Sequence, residues 1–195
     1  MNIEDQIVFG QGANRWNACL DNYLDFSQLA RYYLECANEL IERSVEDSSK
    51  LDVYIYSAVF LYRHSVELLL KELIWMSNYL LDRGKIFPKH HRLMELWQTL
   101  KSNAISLLKS DFPMNKKQVQ HVETILGDVM KYDPDSVFFR YPFDKKMKRT
   151  HSDIHHINVK NLYEQFNQLH ENFGQLSYMI DYLYMEQASY GNFRR

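Results

Sequence analysis

The segment Leu51–Leu81, LDVYIYSAVFLYRHSVELLLKELIWMSNYLL, decides the fold of this chain. It contains neither proline nor glycine, and it is apolar on nearly every side. A helix that is apolar all round belongs in the middle of a bundle, enclosed by other helices. The segment therefore predicts a long central helix around which the rest of the chain packs.

Four of the ionisable residues in this segment lie together on one side of it: Arg63, His64, Glu67 and Lys71. At about 100° per residue, the arginine, glutamate and lysine follow one another at four-residue steps on one side of the helix. The histidine lies beside them. Buried charges are costly unless they are paired and hydrogen-bonded. We therefore predict an enclosed polar stripe whose members find partners inside the protein.

Two interpretations of the stripe are open. In the structural one, Glu67 bridges Arg63 and Lys71, or takes an arginine from elsewhere; Arg140, in the loop sequence FRYP, is the candidate. In the functional one, the stripe forms an anion or nucleotide pocket. Its donors are then Arg63, His64, Lys71 and Arg140.

Length and composition limit the fold and the partners. A chain of 195 residues with 46% hydrophobic residues fits one domain with a sizeable core. The 6 glycines and 4 prolines are too few for the tight turns of all-β folds. The formal net charge of -2 gives no chain-wide basic field, so any binding of nucleic acid must be local.

Hydrophobic periodicity predicts four further helices around the central one. The predicted segments are a loose arm at 1–13, helices at 14–43, 91–109 and 116–132, a long loop at 133–158, and a final helix from 159. Asn115 and Asn158 are predicted to cap the last two helices. We expect a single all-α domain over 1–195, an up-and-down bundle of about five helices with a long loop before the final helix.

The compartment is expected to be the cytoplasm. Cys19 and Cys36 lie too far apart on one predicted helix to form a disulfide, so we interpret both as reduced core thiols. The first ten residues, MNIEDQIVFG, do not resemble a signal peptide. Charges near the middle of the central segment argue against a membrane span. No cofactor is expected, and no Walker loop or Gly-rich dinucleotide turn is present. Ser/His/Asp catalysis has no support either, because no Gly-flanked serine elbow appears.

The long loop carries two groups of polar residues. Lys145, Lys146, Lys148 and Arg149 form a basic run close to Arg140 and Tyr141. Such a run beside aromatic residues grips a phosphate backbone, or it is a solvated loop tip.

Histidines make up the second group: His151, His155 and His156, with Asp153 between them. They are ligand types at ligand-like spacing. Nothing predicts a helix there and no matching Cys/His cluster exists elsewhere, so a solvated loop is favoured and no metal site is predicted.

Several residues together carry a family resemblance. They are Arg63, His64, Glu67, Leu68 and Lys71 in the central helix, a later His-x-Leu-x-x-Leu-Trp segment at 91–97, and the Phe-Arg-Tyr-Pro loop at 139–142. Over roughly 54–183 the chain resembles uncharacterised bacterial proteins related to the HEPN superfamily. The resemblance implies a helical bundle, frequently a homodimer, found in toxin–antitoxin and phage-defence systems.

Many HEPN domains are metal-independent endoribonucleases, and the resemblance also implies where such a site would lie. Their signature is an arginine followed, after four to six residues, by a histidine near the start of the final helix. Arg149 and His155 fit that spacing. By resemblance, the arginine stabilises the strained phosphate and the histidine acts as acid or base on the ribose hydroxyl across a dimer cleft.

Two functional hypotheses follow. In the first, the chain is a HEPN-like RNA-binding or RNA-cleaving toxin or phage-defence component. In the second, it is a non-catalytic helical module that associates with itself or with a partner protein, and its polar stripe is structural. The sequence leaves open whether the chain is an enzyme.

Overall fold

A computed structural model describes residues 24–144, 146–150 and 156–192. Five α-helices follow one another: α1 (Phe26–Glu46), α2 (Leu51–Leu80), α3 (Leu93–Leu108), α4 (Lys116–Tyr132) and α5 (Val159–Asn192). Within the described ranges there is no β-strand, only one isolated antiparallel bridge between Phe143 and Arg149. The predicted all-α bundle of five helices is confirmed.

The helix α2 lies at the centre, as its composition predicts. It packs against α1, α3 and α5, while α4 closes the bundle against α3 and α5. Every residue from Ser65 to Ile74 is buried, on all sides of the helix. That stretch includes Glu67 and Lys71, so the polar stripe is enclosed by protein.

The helix α1 begins later than its periodicity predicts. Leu24 and Asp25 are not helical, and the Asp25 side chain caps the helix by accepting a 2.7 Å hydrogen bond from the backbone N–H of Gln28. Ala30, Ala37 and Ile41 face the core as expected. Cys36 is exposed, so its prediction as a core thiol is wrong. The arm at 1–13 and Cys19 lie outside the described residues.

The end of α2 uses a different residue from the one that the sequence favours. The helical pattern, which runs to about Arg83, predicts Gly84 as the left-handed residue directly after α2. Gly84 does have a positive φ, of 82°, but Asp82, with φ of 57°, is the left-handed residue that directly follows the helix end. The N–H of Asp82 bonds to the carbonyl of Tyr79, and the N–H of Arg83 bonds to that of Asn78. These two bonds form a Schellman motif before the glycine is reached.

Both predicted caps are present in the second half of the chain. The Asn115 side chain accepts from Lys117 and Gln118, and the Gln118 side chain returns a bond to the Asn115 N–H, which completes a capping box. The Asn158 side chain accepts from the N–H of Asn161 at 3.0 Å. These caps fix where α4 and α5 begin.

The connection between α2 and α3 is anchored at several points. Lys85 lies over the rings of Trp75 and Tyr184, and Phe87 meets Phe26 edge to face. The Asn78 side chain donates to the carbonyl of Ile86 at 2.8 Å. The chain therefore reaches the start of α3 along a fixed path.

No helix in the described ranges is both long enough and apolar enough to cross a membrane.

Candidate functional site: a buried ion cluster beneath a basic cleft

Arg63 is the centre of a buried ion cluster. Its side chain is fully buried, and each of its three nitrogens has a partner. Nη1 contacts Glu67 Oε2 at 3.1 Å, and Nε contacts Asp133 Oδ2 at 3.2 Å. Nη2 donates to the backbone carbonyl of His91 at 2.7 Å. One side chain of α2 thus binds the start of the long loop and the residues before α3.

Glu67 is a buried anion of the cluster, and its contact with the half-exposed His91 connects the cluster to the protein surface. Its Oε1 atom accepts from Lys71 Nζ at 2.9 Å and lies 2.7 Å from Nδ1 of His91. Burial alone would raise the pKa of Glu67, but hydrogen bonds from Lys71 and His91 outweigh it and lower the pKa below its ordinary value. Glu67 therefore remains ionised at neutral pH. The predicted bridge from Arg63 through Glu67 to Lys71 is present.

Asp133 joins the cluster to the loop before α5. Its Oδ2 atom pairs with Arg63, while Oδ1 accepts from the N–H groups of Val137 and Phe138 at 2.6 and 2.9 Å. The residue is 2% exposed. One carboxylate thus shapes the first turn of the loop and fastens it to α2.

His64 takes no part in the ion cluster. Its ring is stacked on Phe60 and meets Tyr33 edge to face, at centroid distances of 5.6 and 5.0 Å. Burial lowers its pKa, which favours a neutral ring at physiological pH. The predicted stripe is therefore divided in the structure. Arg63, Glu67 and Lys71 belong to the ion cluster, whereas His64 makes half-buried aromatic contacts.

Arg140 does not take the place beside Glu67 that the sequence predicts. Its Nε donates to the backbone carbonyl of Ser136, and its guanidinium lies over the rings of Phe60 and Tyr141 at 5.7 and 5.4 Å. Among the described residues outside α2, Asp133 and His91 are the ones that hydrogen-bond to Arg63 or Glu67. Arg140 instead lines the surface above it.

A cleft of about 860 Å³ opens over this cluster, between the residues that precede α3 and the long loop. We call it the basic cleft. Five lysine or arginine side chains and three aspartates line it, and one of those aspartates, Asp133, is already paired with Arg63. The cations are Arg92, Arg140, Lys146, Lys148 and Arg149.

The basic run lies on an ordered turn at the rim of the cleft. The Asp144 carboxylate accepts from the N–H groups of Lys146 and Lys148 at 2.8 and 2.9 Å, and these bonds lower its pKa. The Thr150 hydroxyl donates to the carbonyl of Tyr141 at 2.7 Å. The turn therefore presents Lys146, Lys148 and Arg149 from a defined backbone. Lys145 lies outside the described residues.

Exposed aromatic rings accompany these cations. Tyr141 is 52% exposed and Phe143 is 38% exposed. The guanidinium of Arg149 lies 5.6 Å from the Phe143 ring centroid, as that of Arg140 lies over Tyr141. The rim thus combines positive charge with flat apolar surfaces on which a base can stack.

Comparison of the chain with protein-family models, curated proteins and solved structures found no match.

The structure describes only one residue of the predicted catalytic pair, Arg149. Arg149 lines the basic cleft, whereas His155 lies outside the described residues. Of the predicted histidine group, His151, Asp153 and His155 lie outside them too, and His156 is exposed. Within the described part of the chain, no group of three or more His, Cys, Asp or Glu residues is arranged to hold a metal ion.

Sequence reasoning does not single out His91 or Asp133 as functional, and His91 enters it only as the first residue of the His-x-Leu-x-x-Leu-Trp segment. Its backbone carbonyl is bound to Arg63 and its Nδ1 to Glu67, yet its side chain is 52% exposed and lines the cleft. The signal in the sequence is weak. A histidine two residues before an apolar helix face indicates neither a buried partner nor a cleft.

A second polar pair, Ser65 and His170, lies inside the bundle away from the cleft. The Ser65 hydroxyl donates to the Tyr62 carbonyl at 2.7 Å, so it accepts from His170 Nε2 at 2.9 Å. A serine whose proton is directed to a backbone carbonyl is not activated as a nucleophile. This pair is therefore a packing contact.

The half-buried His170 makes stability depend on pH. Burial lowers its pKa from 6.5 to about 4. Between these values the unfolded chain binds a proton that the folded chain does not, so the free energy of unfolding falls as the pH falls. The loss attributable to this residue approaches about 3 kcal/mol at 1.36 kcal/mol per pKa unit.

Urea denaturation at pH 7 and pH 4.5 measures this effect. We expect His170→Gln to lose less stability than the parent over this range, whereas His156→Gln, at an exposed position, behaves like the parent. Equal losses in the parent and in His170→Gln would contradict the assignment.

Proposed function

We propose that this chain is a HEPN-like RNA-binding protein and that the basic cleft holds the phosphate backbone. The supporting observation is the convergence of five cations on one cleft in a chain whose net charge is only -2. Local positive charge of this kind attracts a polyanion without a chain-wide field. A cytoplasmic location is part of this proposal.

The arrangement favours single-stranded RNA over a duplex. Tyr141 and Phe143 present exposed rings beside the cations Arg140 and Arg149. Bases that are not paired can stack on such rings while the backbone follows the positive charges. A duplex keeps its bases stacked on one another and cannot use the rings in this way.

The resemblance extends the proposal from RNA binding to RNA cleavage. In that extension Arg149 stabilises the negative charge of the phosphate, His155 acts as acid or base, and two copies of the chain form a homodimer. A role in a toxin–antitoxin or phage-defence system belongs to the same extension. The lining of the cleft by Arg149 supports the phosphate contact.

Removing two cleft cations should weaken RNA binding. We expect the double variant Lys148→Ala/Arg149→Ala to bind a labelled single-stranded RNA about tenfold or more weakly at moderate salt, measured by fluorescence anisotropy. Its plot of log affinity against log salt should be shallower by about 0.7 for each phosphate that the variant no longer neutralises.

A charge-matched control comes from the start of α4. Lys116 and Lys117 are exposed and do not line the cleft. Their double alanine variant should bind within about twofold of the parent, since it removes the same charge from another surface. Equal weakening by both double variants would show that the cleft is not the binding site, and no measurable binding by the parent would refute the proposal.

A non-catalytic module that associates with itself is the second candidate. It is favoured by a row of exposed apolar side chains on one side of α5, where Tyr178, Tyr182 and Met185 are 57% to 70% exposed. Light scattering separates the candidates when combined with the RNA titration. A parent chain that is dimeric and does not bind RNA at low salt supports the module.

A further inference from the structure

We propose that His91 is a catalytic acid–base residue of the basic cleft and that its substrate is the phosphodiester bond of single-stranded RNA. This inference rests on the proposed RNA-binding function and assigns the acid–base role in cleavage to His91 in place of His155. It places that role on a residue that lies between the buried cluster and the cleft.

The position of His91 is fixed at two atoms. Arg63 Nη2 donates to its carbonyl at 2.7 Å, and Glu67 Oε1 lies 2.7 Å from its Nδ1. Both partners are themselves buried and paired, at 0% and 1% exposure. The imidazole is therefore held by a rigid support, although its own side chain is half exposed. Catalytic groups need this combination of fixed orientation and access to substrate.

The contact with Glu67 determines the tautomer of His91. An ionised carboxylate accepts hydrogen bonds and cannot donate them. Nδ1 of His91 must therefore carry the proton, and in the neutral ring Nε2 holds the free lone pair. A carboxylate that orients a histidine in this way leaves the second nitrogen ready to take up a proton. Glu67 is a positioning residue in this arrangement, because it acts through His91.

The surroundings of His91 indicate an anionic substrate. Arg140, Lys148 and Arg149 line the same cleft, and Arg92 follows His91 in the chain. Cations placed around a reacting phosphate stabilise the additional negative charge of the transition state. A proton acceptor within a group of phosphate-binding cations fits the transesterification of RNA.

The step balances without a further reactant. Nε2 of His91 takes the proton from a ribose 2′-hydroxyl, and the 2′-oxygen forms a new bond to the adjacent phosphorus. The bond from phosphorus to the 5′-oxygen breaks, and that oxygen takes a proton from water. The products are a 2′,3′-cyclic phosphate and a 5′-hydroxyl end, and His91 then releases its proton to solvent.

A cleavage assay of the full chain tests this assignment. The probe is a single-stranded RNA oligonucleotide in excess EDTA, with the ends of the products identified by mass spectrometry. We expect cyclic phosphate ends from the parent and a rate lower by about 10²–10⁴-fold in His91→Ala. Added imidazole should restore part of the rate in His91→Ala, which a merely structural role of His91 would not allow.

Two further variants keep the test decisive. His91→Gln retains an N–H group that can reach Glu67, so it should fold and bind RNA like the parent while losing cleavage. His156→Ala, at an exposed position that does not line the cleft, should cleave at the parental rate. An oligonucleotide with a single 2′-deoxy nucleotide at the cleaved position should bind and remain intact.

Three results would overturn the inference. They are a parent that binds RNA and never cleaves it, His91→Ala or His91→Gln at the parental rate, and activity that depends on His155 but not on His91. Each of these leaves RNA binding by the cleft intact. A parent that does not bind RNA refutes the proposed function itself, so the two failures are distinguishable.

Discussion

Replacing Glu67 with alanine is expected to lower the free energy of unfolding by about 3–5 kcal/mol. The substitution removes the anion that Lys71 contacts at 2.9 Å and one of the two that pair with Arg63. Both cations are buried, at 7% and 0% exposure. A buried cation without its partner cannot recover the hydration it gave up on folding.

Urea denaturation monitored by circular dichroism measures this change. A matched control is Glu35→Ala, since Glu35 pairs with Arg31 at the same four-residue spacing on α1 but at 65% exposure. An exposed pair of this kind contributes about 0.2–1 kcal/mol. If Glu67→Ala and Glu35→Ala cost the same, the stripe of α2 is not buried and paired as described.

Replacing Asp133 with alanine is the second substitution with a large expected effect, also about 3–5 kcal/mol. It removes the other carboxylate from Arg63 and leaves the N–H groups of Val137 and Phe138 without their acceptor. Because Asp133 shapes the first turn of the loop that carries the basic run, the variant should also bind RNA more weakly than the parent.

Asp135→Ala is the control for Asp133→Ala, because Asp135 lies in the same loop and is exposed. We expect it to change the free energy of unfolding by no more than about 0.5 kcal/mol. Denaturation of the three proteins under identical conditions gives the comparison. A parental midpoint for Asp133→Ala would mean that the loop is not fastened to α2 through this carboxylate.

The sequence predicts the enclosed part of the structure well. The burial of Arg63, Glu67 and Lys71 follows from their four-residue spacing within an apolar helix, and the caps at Asn115 and Asn158 follow from local side-chain chemistry. These features depend on residues close together in the chain. Periodicity and capping rules act at that range.

The partners of the stripe could not be predicted in the same way. Asp133 and His91 approach Arg63 from irregular segments that are distant in sequence, and irregular segments have no period that places their side chains. Arg140 is close in sequence to Asp133 and has the expected charge, which explains its choice as the partner of Glu67. The structure turns it outward to the cleft.

Two local features, the end of α2 and the exposure of Cys36, also differ from the prediction. Asp82 adopts the left-handed conformation at the end of α2 although a glycine follows two residues later, because the Schellman bonds close before that glycine. Cys36 lies on the exposed side of α1, between the buried residues Ala30 and Ala37. Residue type alone favours burial of a cysteine, whereas its position on the helix surface decides it.

Arg63 is held between two buried carboxylates, Glu67 on its own helix and Asp133 at the start of the long loop, and a double-mutant cycle tests this central claim most directly. The variants are Glu67→Gln, Asp133→Asn and their combination, which keep the shapes of the side chains and remove the charges. Because both carboxylates pair with one guanidinium, we predict a coupling free energy of at least about 1 kcal/mol in magnitude. Losses that add to within about 0.5 kcal/mol would show that the two carboxylates act independently and would contradict the account.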